Sequence, residues 1–331
     1  MRMKYIVFFD DKADSSVNLV GGKGWGLQKM TQLGLPVPFG FTITTDTWRE
    51  FNERKEIWPE LLSEIKQGIS QIEERMGKKF GDVDNPLLVS VRSGARYSMP
   101  GMMETILNVG ISKEIIPSLS KSLGNEKYAW DTYSRFIKMY SQAVFNIHKG
   151  EFDLLPKTES ISNEDLSVLY ENYIKNKYSK VIPESYEEKL ITAIKAVFDS
   201  WNSHSAVGYR QMNGIPNDLG TAVNVQAMVF GNRENSGTGV LFTRNTISGE
   251  KGLVGDYLEN GQGEDIVRGA SERQTLSMVE LENKHSEIYK EIKEYALLLE
   301  KNRGNVQDIE FTVSQDDTTY ILQSRDITGL E

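Results

Sequence analysis

The feature that most constrains the fold of this chain is a pair of alternating segments near its C-terminus. Residues 306–313 and 319–325 each alternate polar and apolar side chains, and the four residues 315–318 between them are turn formers. This pattern predicts an antiparallel β-hairpin with one polar face and one face that packs into a core. The apolar face is predicted to contain Ile309, Phe311, Val313, Tyr320 and Leu322.

The polar face of this hairpin has the composition of a metal and phosphate site. Two carboxylates, an amide and a guanidinium on one surface suit Mg²⁺, which takes one or two carboxylates and completes its octahedron with phosphate oxygens and water. The alternative is a solvated sheet face with an ordinary cross-strand Asp–Arg ion pair. The predicted cross-strand pairs are Ser314 with Thr319, Glu310 with Gln323, and Asp308 with Arg325.

Length and charge limit the classes of function. A chain of 331 residues exceeds the size at which one hydrophobic core usually suffices, so we expect two or more packed units. The net charge of −9 and the pI near 5.2 argue against general binding to nucleic acid or to an anionic membrane. Any site for an anion must therefore be a local concentration of cations.

The residue types that are absent exclude further classes. The chain has no cysteine, which excludes disulfides, thiolate catalysis and cysteine-type zinc sites. The apolar run Tyr5–Phe9 is too short for a signal peptide and is predicted to be a strand. No stretch approaches the roughly 18 apolar residues of a membrane span. A cytoplasmic protein without membrane or nucleic-acid partners is the expectation.

A glycine-rich segment near the N-terminus is a candidate anion site. Gly21-Gly22-Lys23-Gly24-Trp25-Gly26 precedes an apolar pattern at helical spacing, Leu27, Met30 and Leu33. Glycines let backbone amides approach an anion, and the start of the following helix adds partial positive charge. The segment is not a Walker loop, because no Gly-Lys-Ser/Thr follows at the required spacing. A flexible turn between a strand and a helix is the alternative.

A second candidate anion site follows a buried strand. The apolar run 87–91 ends at Arg92, with Arg96 four residues later and a methionine-rich loop at 98–105. Arginine keeps its charge and presents a fork of donors, so two arginines at the end of a strand can clamp phosphates. The alternative is that both arginines pair with surface acids.

Several of these stretches closely resemble the N-terminal ATP-binding part of the pyruvate, phosphate dikinase family. Residues 91–108 read VRSGARYSMPGMMETILN, and residues 21–44 read GGKGWGLQKMTQLGLPVPFGFTIT. The Ser-Met-Pro-Gly-Met-Met run places the chain closer to the dikinases than to the related phosphoenolpyruvate synthases. The likeness continues through residues 124–136, 201–228 and 236–269 and ends with the hairpin.

The resemblance implies an α+β fold of the ATP-grasp type, in which two lobes close on ATP. We expect lobe 1 to comprise residues 1–110 and 184–230, and lobe 2 to comprise residues 231–331. Residues 111–183 are expected to form a helical insertion. The cofactors that the resemblance implies are ATP and Mg²⁺.

The resemblance also implies roles for particular residues. The chain departs from the family pattern at Ser134, where an arginine is usual, and at residues 269–272, which replace an Ile-Arg-Thr-Pro ending. The implied phosphate-binding residues are Lys23, Arg92 and Arg325, with Arg135 at the terminal phosphate. The implied nucleotide contacts are Gly101, Met103, Thr105, Gln226 and Met228, of which the last two contribute backbone groups at the adenine edge. The implied Mg²⁺ ligands are Asp308, Glu310 and Gln323.

Dikinases of this family pass the β-phosphoryl group of ATP to a histidine on a swivelling domain, and inorganic phosphate takes the γ-phosphoryl group. No such histidine motif occurs here, and His148, His204 and His285 have no partner at metal-ligand or triad spacing. We therefore expect the histidine carrier on another chain or on a removed C-terminal part. The alternatives are a stand-alone kinase of a small acceptor and a module that senses ATP without transferring phosphate.

Overall fold

The computed structural model describes residues 3–156, 161–267 and 274–327. The chain divides into two units: residues 1–25 with 39–228, and residues 26–38 with 229–331. Each unit combines helices with a five-stranded antiparallel sheet, which confirms the predicted α+β class. Within the described ranges, no helix has both the length and the apolarity needed to cross a bilayer.

The first unit is built around a sheet with the strand order β1-β2-β7-β5-β6. Its central strand β7 is buried at every position, because β2 and β5 flank it and helices cover the sheet. A parallel pair, β3 with β4, lies outside this sheet. The strands are β1 (Ile6–Phe8), β2 (Gly40–Ile43), β3 (Lys79–Phe80), β4 (Pro86–Leu87), β5 (Val89–Gly94), β6 (Thr105–Val109) and β7 (Ala222–Ala227).

The helices of the first unit begin and end where local sequence signals favour it. The Thr44 side chain caps α2 by accepting a hydrogen bond from the Thr47 amide, and Asn125 caps α5 in the same way through the Lys127 amide. The helices are α1 (Val17–Gln32), of which residues 26–32 belong to the second unit, α2 (Thr45–Arg54), α3 (Pro59–Met76), α4 (Ile116–Leu123), α5 (Glu126–Val144), α6 (Asn163–Tyr178), α7 (Tyr186–Ser200) and α8 (His204–Asn213).

The second unit has a sheet with the order β10-β9-β8-β11-β12, and α11 packs on it. Two helices, α10 and α11, precede the hairpin and are separated at His285. The His285 ring lies 2.7 Å from Glu259 Oε1, so an ion pair or hydrogen bond holds the break. The elements are β8 (Gly237–Arg244), β9 (Lys251–Glu259), α9 (Gly263–Val267), β10 (Leu276–Ser277), α10 (Met278–Lys284), α11 (Ser286–Arg303), β11 (Gln307–Val313) and β12 (Thr319–Asp326).

The boundary between the units differs from the expected lobe boundary at residues 26–38 and 229–230. Residues 26–38 were expected in lobe 1, but they belong with the C-terminal unit. A backbone hydrogen bond of 2.8 Å from the Ile321 amide to the Pro36 carbonyl joins this segment to β12. Such a long-range contact leaves no local signal in the sequence, so the segment was assigned with its neighbours along the chain.

Residues 111–156 and 161–183, the described part of the expected insertion, are mostly helical and lie within the first unit. One carboxylate, that of Glu151, links several residues of this region by hydrogen bonds. Glu151 Oε2 accepts hydrogen bonds from Lys177 Nζ at 2.6 Å and from the hydroxyls of Tyr173 and Tyr178. These donors, led by Lys177, hold the pKa of Glu151 at about 2.

Replacing this carboxylate should change how the stability of the protein depends on pH. The folded state lowers the pKa of Glu151 from 4.5 to about 2, so the carboxylate contributes stability above pH 4.5 that is lost as the pH falls towards 2. Urea unfolding should therefore show a deficit for Glu151→Gln that is full at pH 7 and shrinks between pH 4.5 and 2. A deficit that stays constant over this range would contradict the assignment.

Candidate nucleotide site

The glycine-rich segment lies inside a helix rather than ahead of one. Helix α1 begins at Val17 and is interrupted at Gly21, whose φ of 69° is in the left-handed region. The predicted anion loop at residues 21–26 is therefore one left-handed residue followed by a new first helical turn, with half-buried Lys23 in that turn. Instead of the alternative, a flexible turn between a strand and a helix, the structure shows glycines that allow close packing.

This turn packs directly against the end of β5, where the second candidate anion site begins. The Gly22 amide donates a 3.0 Å hydrogen bond to the Ala95 carbonyl. A Cβ atom on Gly21 would lie 1.5 Å from the Gly94 carbonyl oxygen, so no other residue fits at position 21 without moving the backbone. The structure thus brings together the two segments that the sequence marked as phosphate-binding, residues 21–26 and 92–96.

A row of polar side chains crosses the first sheet beneath these segments. Thr42 on β2 lies opposite Asn224 on β7, Asn224 lies opposite Arg92 on β5, and Arg92 lies opposite Thr105 on β6. Directly opposed residues share a face of the sheet, so four neighbouring strands contribute one residue each to this row. Arg92 and Thr105, both predicted as nucleotide ligands, are therefore neighbours.

Asn224 occupies the centre of this row and is fully buried. Its Oδ1 accepts a 2.7 Å hydrogen bond from Thr42 Oγ1. A Cβ on Gly24 would lie 2.9 Å from that Oδ1, and a Cβ on Gly94 would lie 2.6 Å from Nδ2. One amide therefore supports both candidate anion segments, and sequence analysis missed it. The available signal was a polar side chain, Asn224, between the apolar residues Val223 and Val225 of a strand-like segment.

The methionine-rich loop connects the end of β5 to β6. Gly101 has a φ of 72° in this loop, which favours glycine. The Glu104 amide donates a 3.2 Å hydrogen bond to Ser200 Oγ at the end of α7, and the same oxygen lies 3.9 Å from Met103 Sδ. Helix α7 thus anchors the part of the loop that leads into Thr105.

The backbone near Gln226 is already used by the sheet. Gln226 lies opposite Gly40 on one side and Ser90 on the other, and the Met228 amide donates a 2.9 Å hydrogen bond to the Leu88 carbonyl. The Met228 amide therefore cannot also bind an adenine edge without breaking this bond. The predicted contact at this strand would have to come from other groups of Gln226 and Met228.

Arg135 lies on helix α5 and forms an ion pair within its own helix. Its Nε donates a 2.8 Å hydrogen bond to Asp131 Oδ2, one turn earlier. Ser134, which stands where the family usually has arginine, is buried and donates a hydrogen bond to the Asp131 carbonyl. The guanidinium is held by a helical neighbour, and a role at a terminal phosphate stays a prediction.

In the second unit, two of the predicted residue pairs are present in the half of the hairpin β11–β12 that lies far from its turn. Glu310 lies opposite Gln323, and Asp308 lies opposite Arg325. Gln323 Nε2 lies 3.3 Å from Glu310 Oε1, and Arg325 donates a 2.6 Å hydrogen bond to Asp308 Oδ2. The two carboxylates, the amide and the guanidinium therefore share one surface, with the arginine in a cross-strand ion pair.

The register of the hairpin changes towards its turn. The Ser314 amide bonds to the Thr318 carbonyl, so the last pair of the ladder is Val313 with Thr319 instead of Ser314 with Thr319. A bulge at Leu322 restores the register of the inner pairs. It also changes the apolar face, where buried Ile321 lies opposite Phe311, while Tyr320 and Leu322 are only half-buried. The predicted core role of those two residues was wrong.

The polar surface of the hairpin fits a magnesium ion in its chemistry. Asp308, Glu310 and Gln323 offer hard oxygen atoms, which Mg²⁺ prefers, and leave coordination positions for water and phosphate. Within residues 3–156, 161–267 and 274–327, no group of three or more His, Cys, Asp or Glu side chains converges on one point.

Two glycine-rich connectors of the second unit enclose polar groups. The connectors are residues 236–239 and 260–265, and the Asn260 amide donates a 2.8 Å hydrogen bond to the Ser236 carbonyl. A Cβ on Gly231 would lie 2.5 Å from the Gly237 carbonyl oxygen and 2.7 Å from that of Gly261, so Gly231 packs against the backbone of both. The next residue, Asn232, is buried, and neither polar atom of its side chain has a hydrogen-bond partner within the described ranges. The altered family ending at residues 269–272 lies outside the described residues.

Comparison with known proteins is consistent with this geometry. The chain matches the family described as "Pyruvate phosphate dikinase, AMP/ATP-binding domain" over residues 17–67 and 59–288. The chain belongs to this family. The family's domain is of the ATP-grasp type, as the sequence predicted.

Curated relatives of the family are named pyruvate, phosphate dikinase. The protein of Clostridium symbiosum is 45% identical over 339 residues, an alignment that covers 97% of this chain and 38% of the relative. The protein of Rickettsia conorii is 40% identical, covering 98% of this chain and 39% of the relative. The chloroplastic protein of Mesembryanthemum crystallinum is 43% identical, in an alignment that covers 93% of this chain and 34% of the relative. The chain therefore spans less than two fifths of the length of these relatives.

Adding one methyl group at Gly24 should destabilise the protein. A Cβ at this position would lie 2.6 Å from Thr42 Oγ1 and 2.9 Å from Asn224 Oδ1, so Gly24→Ala should cost about 1–3 kcal/mol of unfolding free energy. The control is Gly208→Ala in α8, where no atom lies within 4 Å, and there the methyl group should stabilise the helix by roughly 0.5–1 kcal/mol. Chemical denaturation measures both, and equal effects would contradict the packing argument.

Proposed function

We propose that this chain is the nucleotide-binding part of a dikinase-type phosphotransferase. It binds Mg·ATP and transfers the β-phosphoryl group to a histidine of a swivelling carrier domain, with inorganic phosphate accepting the γ-phosphoryl group to leave AMP and pyrophosphate. The observation that carries the proposal is the junction of the glycine turn at residues 21–26 with the arginine-bearing end of β5, in a chain of the AMP/ATP-binding family.

The first unit supplies the cations that phosphate requires. Lys23 lies in the turn that follows Gly21, and Arg92 lies at the end of the strand against which this turn packs. In an acidic protein of net charge −9, two cations on segments joined by a backbone hydrogen bond form a local anion site. Their role in the proposed reaction is to orient phosphate oxygens and to stabilise the charge that develops during transfer. Arg325 is also proposed to bind the phosphate chain and Arg135 its far end, once each exchanges its carboxylate partner for phosphate.

The hairpin of the second unit supplies the carboxylates that a metal requires. Glu310 and Gln323, with Asp308 beside them, are proposed to hold Mg²⁺, which when bound neutralises phosphate charge and polarises the phosphoryl oxygens. The short ion pair between Asp308 and Arg325 keeps both groups oriented before nucleotide arrives. This surface therefore offers carboxylates to the cation and a guanidinium to the phosphate anion.

Loop residues complete the proposed nucleotide contacts. Gly101 and Met103 lie in the connection between β5 and β6, and Thr105 is the cross-strand neighbour of Arg92. The polarizable thioether of Met103 suits the face of a purine ring. The adenine edge is proposed to use groups of Gln226 and Met228 other than the Met228 amide.

Transfer of labelled phosphate tests the proposed function. With ATP labelled at the β-phosphorus, Mg²⁺, inorganic phosphate and a separately supplied histidine carrier domain, label should appear on the carrier histidine. Arg92→Ala should lower the rate of labelling by about 10²–10³-fold and leave the unfolding transition unchanged, because it removes a charge that acts mainly in the transition state.

The matched control is Arg75→Ala, an exposed arginine that pairs with Asp10 at 2.6 Å, and its labelling rate should stay within about twofold of wild type. Label on a small molecule without any carrier would favour a stand-alone kinase. Tight binding of Mg·ATP without label on any acceptor would favour a nucleotide sensor. Either result would overturn the proposed reaction.

The metal role of the hairpin has its own test. Glu310→Gln should raise the Mg²⁺ concentration needed for half-maximal ATP binding by about tenfold or more, which corresponds to ~1.4 kcal/mol, because a neutral amide is a weaker ligand than a carboxylate. Asp317→Asn, an exposed residue in the turn of the same hairpin, is the control and should leave this value unchanged. Equal Mg²⁺ requirements in both variants would reject Glu310 as a ligand. Fluorescence titration of Mg²⁺ at fixed ATP gives the measurement.

A further inference from the structure

A cavity of about 500 Å³ lies in the helical part of the first unit, at the N-terminal end of α7. It is lined by residues 112–114 after β6, by the exposed side of α6, and by residues 180–189 that lead into α7. None of the residues predicted to bind nucleotide or metal lines it. Its volume is within the range of small-molecule sites in proteins.

The most unusual residue in this cavity is a buried lysine. Lys189 is 3% exposed, and its Nζ donates a 3.0 Å hydrogen bond to the Ile111 carbonyl. The same ammonium lies 4.9 Å from the centre of the Tyr186 ring. One acceptor and one aromatic face use part of the bonding capacity of an ammonium, which has three N–H donors. A buried charge that keeps donor capacity next to a cavity is suited to bind an anionic group.

Burial also shifts the titration of this lysine. Burial lowers the pKa of Lys189 to about 8, although the field of Glu114 and Glu184 acts in the opposite direction. Those two carboxylates are exposed, and the remaining charged neighbours include the pair Lys113–Glu171 on the cavity wall. An anionic group in contact with Nζ would favour the charged form of the lysine and raise its pKa again.

The rest of the wall indicates what the anionic group is attached to. Ile174, Val181, Ile182 and Pro183 contribute an apolar side to the cavity. Free inorganic anions gain nothing from such a surface, whereas a short hydrocarbon body gains about 25 cal/mol for each Å² removed from water. The cavity therefore combines one buried cation with an apolar wall.

We propose that this cavity binds a small organic acid with a short apolar body, whose carboxylate pairs with Lys189 while its body lies against the wall formed by residues 181–183 and Ile174. The ligand is either a simple carboxylic acid or an amino acid, and in the second case Glu114 and Glu184 receive its ammonium group. This site is separate from the proposed phosphotransferase chemistry and does not depend on it.

Three probes with the same branched body test the site on the full chain: 4-methylpentanoate, leucine, and 3-methylbutylamine, which lacks the carboxylate. Titration calorimetry should detect binding of at least one of the two acids, with a Kd of about 1 mM or tighter, and at least tenfold weaker binding of the amine. Tighter binding of leucine assigns the site to an amino acid, and tighter binding of 4-methylpentanoate assigns it to a simple acid.

Variants separate Lys189 from general charge effects. Lys189→Met should weaken binding of the acid at least tenfold, whereas Lys175→Met, at an exposed lysine on the same cavity, should stay within twofold of wild type. Thermal unfolding of each variant checks that the fold is retained. Lys189→Arg keeps the charge and should retain binding.

Proton uptake gives a second readout that a merely structural lysine would not produce. At pH 8 about half of the Lys189 side chains are neutral, so binding of a carboxylate should take up a fraction of a proton, seen as a calorimetric heat that depends on the ionisation enthalpy of the buffer. Lys189→Arg should bind without this uptake, because arginine does not titrate there.

Four results would overturn the proposal. They are equal binding of the amine and the acids, equal binding of inorganic phosphate, unchanged binding in Lys189→Met, and no binding of either acid at 10-fold above the expected Kd of about 1 mM.

Discussion

The organisation of the candidate nucleotide site depends on the absence of two methyl groups. Gly24 and Gly94 come so close to the side-chain amide of Asn224 that a Cβ on either would lie within 3 Å of it. Helix α1 and strand β5 can therefore reach the same amide from different directions, and the Gly22–Ala95 hydrogen bond joins them above it. The positions of Lys23 and Arg92 relative to each other follow from this contact. Protein interiors are packed tightly enough that such a contact has few alternative arrangements.

In this acidic protein, three cationic side chains of the proposed binding sites already have hydrogen-bond acceptors within the protein. Arg325 is paired with Asp308, Arg135 with Asp131, and Lys189 with a backbone carbonyl. Pairing lowers the cost of keeping a partly buried charge and fixes the direction of its donors. A ligand anion that joins these groups then meets oriented side chains and loses less free energy to their ordering.

The parts of the structure that the sequence predicted are those governed by local periodicity. The alternation in residues 306–313 and 319–325 was sufficient to pair Glu310 with Gln323 and Asp308 with Arg325. Family resemblance then identified which of the regular elements carry the candidate ligands. Elements whose side chains repeat every 2 or 3.6 residues are readable in this way.

The features that were missed depend on contacts between residues far apart in the chain. Asn224 gained its importance from glycines about 200 and 130 residues away, and residues 26–38, which were expected in lobe 1, have a hydrogen-bond partner on β12. Gly21 was interpreted as part of a loop, since only the close approach of Gly94 explains a left-handed residue within α1. Local sequence patterns contain no information about such distances.

Helix α7 connects a cavity and a loop within the first unit. It begins next to the cavity that contains Lys189 and ends at Ser200, which accepts a hydrogen bond from the backbone of the methionine-rich loop.

The bulge at Leu322 divides the β11–β12 ladder into an outer half near the turn and an inner half that contains Glu310 and Gln323. Evolution could therefore lengthen, shorten or decorate the outer half of this hairpin without reversing the sides on which Glu310 and Gln323 emerge.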